Sequence, residues 1–343
     1  MQPKHTTKQL AITLSIFFFL GILLLKCNSF DFLTRGADSF EYEDAGLLFL
    51  TQDFSAHPTR MLGYSLPVGF FRLISNSDLQ FYLLNLFFNY SCWLMTNLLL
   101  FKSLKLILKN NKQALFYTLL FTFHVGIFVQ STQILSEIFY IFLITFSIFF
   151  LIKHQIEKHF RLLLFSFLAF CLSILVRPTL QYFLIFIIPL LIGKIYYQDK
   201  NKVKKITTVF IIFVSTIGLQ LVIMNKSFNT NKLSNIDTLT LHLYFGNYAE
   251  QWCVSRNLDI AGKAWGKEVK RRRLLIGKEK INQAILRKKD WKDYNEFVID
   301  DFLQKFQINK ICFGEAFFRN ILSNSIGGNN NLRTNTSNQN QGF

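Results

Sequence analysis

Residues 113–152 read QALFYTLLFTFHVGIFVQSTQILSEIFYIFLITFSIFFLI, and Glu137 is the only formal charge among these 40 positions. One membrane-spanning helix takes about 20 predominantly apolar residues. The segment is therefore long enough for two such helices, 113–130 and 134–152, folded back on each other around Glu137. This hairpin predicts a membrane protein.

Shorter uncharged runs, each about long enough for one span, flank the hairpin on both sides. The chain is 51% hydrophobic and 17% charged, whereas soluble domains carry about 25% charged residues. Because backbone amides without partners are costly in hydrocarbon, each span must be helical. The predicted fold class is an all-α polytopic membrane protein with about seven transmembrane helices. The five further spans are 9–25, 79–101, 160–176, 179–197 and 206–224. The spans 160–176 and 179–197 meet at Arg177-Pro178.

Basic residues are concentrated on one side of this predicted topology. The pieces assigned to that side hold 14 Lys or Arg, whereas segment 26–62 on the opposite side holds three against six acids. Cytoplasmic loops carry such an excess of Lys and Arg. The pattern predicts a multi-pass protein of the inner (plasma) membrane with a cytoplasmic N-terminus. The net charge of +17 is then explained by topology, and no nucleic-acid partner is expected.

Three parts follow along the chain. Residues 1–225 form the predicted transmembrane core, including a long first extracytoplasmic loop over 26–78. Residues 226–326 are predicted to be an extracytoplasmic, mainly helical region, and the Asn-rich segment 327–343 a disordered polar tail. Cys253 and Cys312 of this extramembrane part are the candidates for a disulfide.

Polar groups at membrane level concentrate in three places on the extracytoplasmic side. They are the acidic segment 38–44, the Ser136-Glu137 turn and the Arg177-Pro178 turn. Ionisable groups at membrane depth are costly and are commonly functional. A site that combines an acidic segment, a solitary Glu and a solitary Arg at one membrane level is suited to binding a phosphate-bearing lipid and a hydroxyl acceptor. Glu41, Glu43 and Asp44 are interpreted as surface charges, and the scattered histidines give no metal-ligand spacing.

The order of these motifs resembles a known family. Asp38-Ser39-x-x-Tyr42, then Arg60-Met61-Leu62-Gly63-Tyr64-Ser65-Leu66-Pro67, is similar to the first external loop of GT-C membrane glycosyltransferases. The branch is the one related to protein O-mannosyltransferases and lipid A aminoarabinose transferases. Leu62 stands where that branch usually has proline, and the proline after Tyr64 is displaced to Pro67. The resemblance covers about residues 5–225.

The resemblance implies sugar transfer from a polyprenyl-phosphate carrier to a hydroxyl on a glycan, lipid or protein. Asp38 is the implied general base. The implied substrate- and phosphate-binding residues are Arg177, Glu137, Arg60, Tyr42 and Tyr64. Apart from the lipid-linked donor no cofactor is expected, and no divalent metal. Two alternatives stay open, a transporter of lipid-linked glycans and a non-catalytic membrane scaffold.

Overall fold

The computed structural model describes residues 4–26, 38–52, 54–57, 59–198, 201–236, 291–308, 310–312, 314, 315 and 318. Every regular element in these ranges is a helix, so the all-α prediction is confirmed there. The chain forms two compact units, Met1–Ile223 and Met224–Phe343.

The helices are α1 Lys4–Lys26, α2 Ser39–Thr51, α3 Leu62–Ile74, α4 Asp78–Leu108, α5 Asn111–Thr122, α6 Val125–Ser131, α7 Glu137–Glu157, α8 Phe160–Val176, α9 Leu184–Gln198, α10 Lys202–Phe228 and α11 Trp291–Ile308.

Within the described ranges, three helices are long and apolar enough to cross a membrane: α4, α7 and α10. The pair α5 and α6 makes a fourth if it is one bent span. The apolar helical stretches over the predicted spans 9–25, 160–176 and 179–197 fall in a shorter class of 10–17 residues. A helix of 17 residues is only about 25 Å long, against about 30 Å of hydrocarbon. The membrane prediction is thus supported by three to four helices, and the count of seven stays a prediction.

Helices form over both arms of the hairpin predicted over 113–152, but the first arm is broken. α5 and α6 differ in direction by 65° across Phe123 and His124. His124 is the N-cap of α6, and its ring accepts a hydrogen bond from the Ile127 N–H at 3.3 Å. That capping bond satisfies one of the amides left free at a helix start. The span predicted over 113–130 therefore consists of two helices with a capped break between them, and its crossing of the membrane as one pass stays a prediction.

α4 lies at the centre of the first unit and contacts α1, α5, α6 and α7. Its buried face combines Trp93 with the amides Asn85, Asn89 and Asn97. Trp93 packs with Phe18 of α1 (ring centroids 5.2 Å apart). Asn97 accepts a hydrogen bond from Thr122 of α5 at 2.7 Å. Aromatic packing and amide hydrogen bonds thus tie these helices together in the buried interior of the first unit.

Two close backbone approaches position the short helices: one packs α2 against α3, and the other packs α3 against α8. A Cβ on Gly46 would press on the Ser65 carbonyl oxygen and lie 2.7 Å from the Gly69 Cα. A Cβ on Gly63 would lie 2.5 Å from the Leu175 carbonyl carbon near the end of α8. Glycine permits both contacts because it has no side chain. The segment predicted as a long loop therefore contains two packed helices, α2 and α3.

α8 ends at Val176, as the Arg177-Pro178 pair predicts. Pro178 begins a 3-10 turn, Pro178–Phe183, which leads into α9. In the second unit, α11 falls within the region predicted to be mainly helical, and its Val298 is buried. Cys312 is disulfide-bonded, whereas Cys253, most of 226–326 and the whole of the predicted tail 327–343 lie outside the described residues.

Candidate functional site

Arg60 holds two acids at the start of α2. Its guanidinium lies 2.9 Å from the Asp38 Oδ1 and 2.7 Å from the Glu41 Oε2. The Arg60 side chain is 12% exposed, against 45% for Asp38 and 49% for Glu41. An arginine side chain offers five donors in a planar fork, which suits two carboxylates at once. Asp38 and Glu41 are one helical turn apart, so the same cation reaches both.

His57 fixes the backbone that presents Arg60. Its ring Nδ1 accepts hydrogen bonds from the backbone N–H groups of Thr59 and Arg60, at 3.3 and 3.2 Å. The Thr59 hydroxyl donates to the Glu41 carboxylate at 3.3 Å. Burial lowers the pKa of His57 to about 4, although Glu41 opposes the shift. The neutral imidazole is the form that can accept both backbone bonds.

Two tyrosines connect this ion pair to the helical core. Arg60 lies over the ring of Tyr42, 4.9 Å from its centroid, and Tyr42 packs edge-on against Tyr64 at 5.0 Å. The Tyr64 hydroxyl donates to the Asn89 side-chain oxygen of α4 at 3.4 Å. Burial raises the pKa of both phenols, so both are protonated at neutral pH. Tyr42 therefore retains a proton to share with Ser136.

Ser136, directly before α7, joins the two halves of the site. Its hydroxyl lies 2.8 Å from the Tyr42 hydroxyl and accepts a hydrogen bond from the Arg177 Nε at 3.3 Å. Arg177 also pairs with the Glu137 Oε1 at 2.7 Å. The Arg177 side chain is 39% exposed, whereas Glu137 is 20% exposed. The second Glu137 oxygen, Oε2, is buried with no hydrogen-bond partner among the described residues.

The structure brings all six sequence-predicted site residues into one region. Asp38 is ion-paired with Arg60, and Tyr42 packs against Tyr64. The Tyr42 hydroxyl contacts Ser136, which lies beside the Arg177–Glu137 ion pair. Sequence reasoning did not assign roles to Ser136, His57 or Asn89, and it treated Glu41 and Glu43 as surface charges. Glu43 in fact is 15% exposed and pairs with Arg72 at 3.0 Å. Spacing along the chain gives no signal for Ser136, Asn89 or Glu43, because their partners lie far away in the sequence. His57, by contrast, bonds to the neighbouring Thr59 and Arg60.

The charges of this network determine what it can do chemically. It offers a half-exposed carboxylate at Asp38 and a partly exposed guanidinium at Arg177, separated by neutral tyrosine and serine hydroxyls. A carboxylate can take a proton from an attacking hydroxyl. A guanidinium can stabilise charge that develops on a departing phosphate. Among the described residues, no cluster of His, Cys, Asp or Glu suitable for a metal ion is found.

The fold and this network define the class of the protein: a helical protein with segments able to cross a membrane and a polar, charged site at the end of its helices. Comparisons of the chain with protein-family models, with curated proteins and with solved structures give no match.

Acidification is expected to loosen the Arg60 loop. The pKa of His57 is about 4 in the folded protein, below its ordinary value of 6.5. Its contribution to the free energy of unfolding is therefore fully present above pH 6.5 and is lost as the pH falls from there to about 4. We expect the apparent melting temperature to fall over this range and expect His57→Asn, which keeps an acceptor without titrating, to reduce the fall. An unchanged pH profile in His57→Asn would contradict the assignment.

Proposed function

We propose that the protein is a membrane-embedded glycosyltransferase that uses a polyprenyl-phosphate sugar as donor and a hydroxyl group as acceptor. The observation that supports this most is the bond pattern of Ser136. Through its contacts with Tyr42 and Arg177, a candidate base and a candidate phosphate ligand belong to one polar network. No nucleotide is required, because the carrier lipid supplies the activated sugar.

The proposed step is a single inverting displacement. The acceptor oxygen attacks the anomeric carbon, and the bond between that carbon and the phosphate oxygen breaks. Asp38 takes the acceptor proton, and the polyprenyl phosphate leaves with the bonding electron pair. Arg177 stabilises the phosphate charge, being always protonated and matched in shape to phosphate oxygens. A positioned base of this kind contributes about 10²–10⁴-fold to the rate.

The remaining residues hold these two groups and the substrates. Glu137 orients Arg177 through one oxygen, and its buried Oε2 is available to accept a bond from a sugar or acceptor hydroxyl. Arg60 orients Asp38 and adds a second positive charge. Tyr42 and Tyr64 form the aromatic wall between the halves of the site. Glycan, lipid and protein hydroxyls all fit this chemistry as acceptors.

The proposed enzyme has a defined membrane topology. Seven membrane passes, with the N-terminus in the cytoplasm, put Asp38, Glu137 and Arg177 on the extracytoplasmic face of the inner membrane. Helices α1, α8 and α9, whose apolar stretches are shorter, supply the three passes beyond those that length and composition support. Single cysteines at the exposed positions Phe40 and Thr179, in a background free of native cysteines, are expected to react with an impermeant maleimide on intact spheroplasts. Labelling only after lysis would contradict this topology.

The activity can be tested without knowing the sugar, because every turnover releases free polyprenyl phosphate. Purified protein in nanodiscs is incubated with a bacterial lipid extract containing polyprenyl-phosphate sugars, and the free polyprenyl phosphate is measured by mass spectrometry with and without an acceptor-rich envelope fraction. The proposal expects release that requires both the protein and the acceptor. No release above that of an empty nanodisc would overturn it.

Arg177→Gln is expected to lower this release by about 10²–10³-fold, the effect of removing one donor from a developing negative charge. Arg177→Lys should retain part of the activity, because it keeps the charge but loses the fork. Arg177→Gln also leaves Glu137 without its cation. The double variant Arg177→Gln, Glu137→Gln removes that imbalance, so recovery of activity in the double variant would show that Arg177 only neutralises Glu137.

A further inference from the structure

The short segment between α6 and α7 carries Ser136, the residue that joins the two halves of the candidate site. α6 ends at Ser131 and α7 begins at Glu137, and we call residues 132–136 the α6–α7 linker. Its buried residues are Thr132, Ile134 and Ser136. Buried backbone groups need hydrogen-bond partners. Side chains from α2 and α4 supply such partners for two adjacent carbonyl groups of the linker.

The first of these side chains is Ser39, at the start of α2. Its hydroxyl donates a hydrogen bond to the Ile134 carbonyl oxygen at 2.9 Å, and both residues are buried. Ser39 directly follows Asp38, the proposed base. The bond therefore holds the start of α2 to the α6–α7 linker at a point next to Asp38.

The second side chain is Asn89 of α4, which is also buried. Its amide nitrogen donates to the Gln133 carbonyl oxygen, and its amide oxygen accepts the hydrogen bond from the Tyr64 hydroxyl. The amide is thus held at both ends, so it cannot rotate without breaking one of the two bonds. Asn89 therefore ties the linker to the central helix of the first unit.

The position of the linker decides where the Arg177–Glu137 pair lies relative to Asp38. Ser136, the last linker residue, accepts a hydrogen bond from the Arg177 Nε, and Glu137 follows it directly. A shift of the linker away from α2 would therefore move the proposed phosphate ligand away from the proposed base. A misplacement of about 1 Å can cost about 10²-fold in rate.

We propose that Ser39 and Asn89 are positioning residues, which set the separation between Asp38 and the Arg177–Glu137 pair by holding the α6–α7 linker. Ser39 acts through the Ile134 carbonyl group and Asn89 through the Gln133 carbonyl group, so neither needs to contact a substrate. The effect on the rate rests on the proposed function, whereas the effect on the geometry does not.

A distance measurement tests the geometry without any substrate. Nitroxide labels are attached to cysteines at the exposed positions Phe40 and Thr179, in a background free of native cysteines. Their separation is measured in nanodiscs by double electron–electron resonance. We expect one narrow distance distribution for this parent protein. Ser39→Ala and Asn89→Leu each remove a bond to the linker, and each should broaden or shift the distribution.

The release of polyprenyl phosphate tests the consequence for the reaction. Ser39→Ala should lower the maximal rate per folded protein by about 10- to 100-fold. The amount of acceptor fraction that gives half-maximal release should stay unchanged, because the altered separation affects the chemical step and not acceptor binding. A merely structural role would instead lower the amount of folded protein and leave its rate as in the parent.

Matched controls separate positioning from a general effect of removing buried polar groups. Ser131→Ala removes a buried hydroxyl that bonds within α6, to the Phe128 carbonyl oxygen. Asn97→Leu removes a buried α4 amide that accepts its hydrogen bond from Thr122. Both controls should keep the parent distance distribution and stay within a few-fold of the parent rate per folded protein.

The outcomes are distinguishable. Unchanged distances in Ser39→Ala and Asn89→Leu, or the same change in the controls, would overturn the proposal. Altered distances with an unchanged rate per folded protein would also overturn it. Absence of release by the parent protein would overturn the proposed function alone, because the distance measurement needs no turnover.

Discussion

Asp38→Asn is expected to lower acceptor-dependent release of polyprenyl phosphate by about 10²–10⁴-fold while leaving the protein folded and inserted. Asparagine has nearly the shape of aspartate and can still accept a hydrogen bond from Arg60, but it cannot take the acceptor proton. Asp38 is 45% exposed and uses Oδ1 for Arg60. No partner of Oδ2 is found within the described part of the chain, so that oxygen can face the acceptor.

Asp78→Asn is the matched control for this variant. Asp78 is also an exposed aspartate at a helix start, and it also pairs with an arginine, Arg72, at 2.6 Å. It is not part of the Ser136 network. We expect Asp78→Asn to stay within a few-fold of the wild-type rate, because exposed ion pairs contribute little. Equal activity of Asp38→Asn and the wild type would remove Asp38 as the base and favour a non-catalytic scaffold.

Gly46→Ala is expected to give the largest loss of stability. The added methyl group would press on the Ser65 carbonyl oxygen and lie 2.7 Å from the Gly69 Cα, and these backbone atoms cannot rotate away. Overpacking of this kind costs about 1–3 kcal/mol. In a folding unit of the size of Met1–Ile223 that corresponds to a fall of about 2–12 °C in the apparent Tm. Fluorescence-detected size exclusion after heating, in detergent, measures it.

Gly193→Ala is the control, because a Cβ at Gly193 in α9 would meet nothing within 4 Å. Alanine is more favourable than glycine inside a helix by about 1 kcal/mol, so this variant should be as stable as the wild type or slightly more so. If Gly46→Ala and Gly193→Ala have the same apparent Tm, α2 and α3 are not packed as closely as described. The transferase activity should fall with the stability of Gly46→Ala, since α2 carries Asp38 at its start and Arg60 lies just before α3.

The sequence by itself determined which segments are helical in the membrane core. Long uncharged runs predicted α4, α7 and α10, and the isolated Glu137 and the Arg177-Pro178 pair marked helix ends that the structure reproduces. These features are local: an apolar run must satisfy its own amides as a helix, and proline interrupts that helix where it stands. Glu137 and Arg177 were also visible in the sequence as charges in an apolar context, whereas the roles of Asp38, Arg60, Tyr42 and Tyr64 were predicted from the resemblance.

Only the tertiary structure decided how those residues meet. Ser136 contacts Tyr42 from 94 positions away and Arg177 from 41 positions away. The sequence does not encode such distances directly, because they follow from how α2, α3, α7 and α8 pack. The same holds for the break before α6, which depends on the ring of His124 turning back to cap Ile127, and for Glu43, which is withdrawn from solvent by Arg72. Helix formation depends on neighbours in the chain, whereas the site depends on neighbours in space.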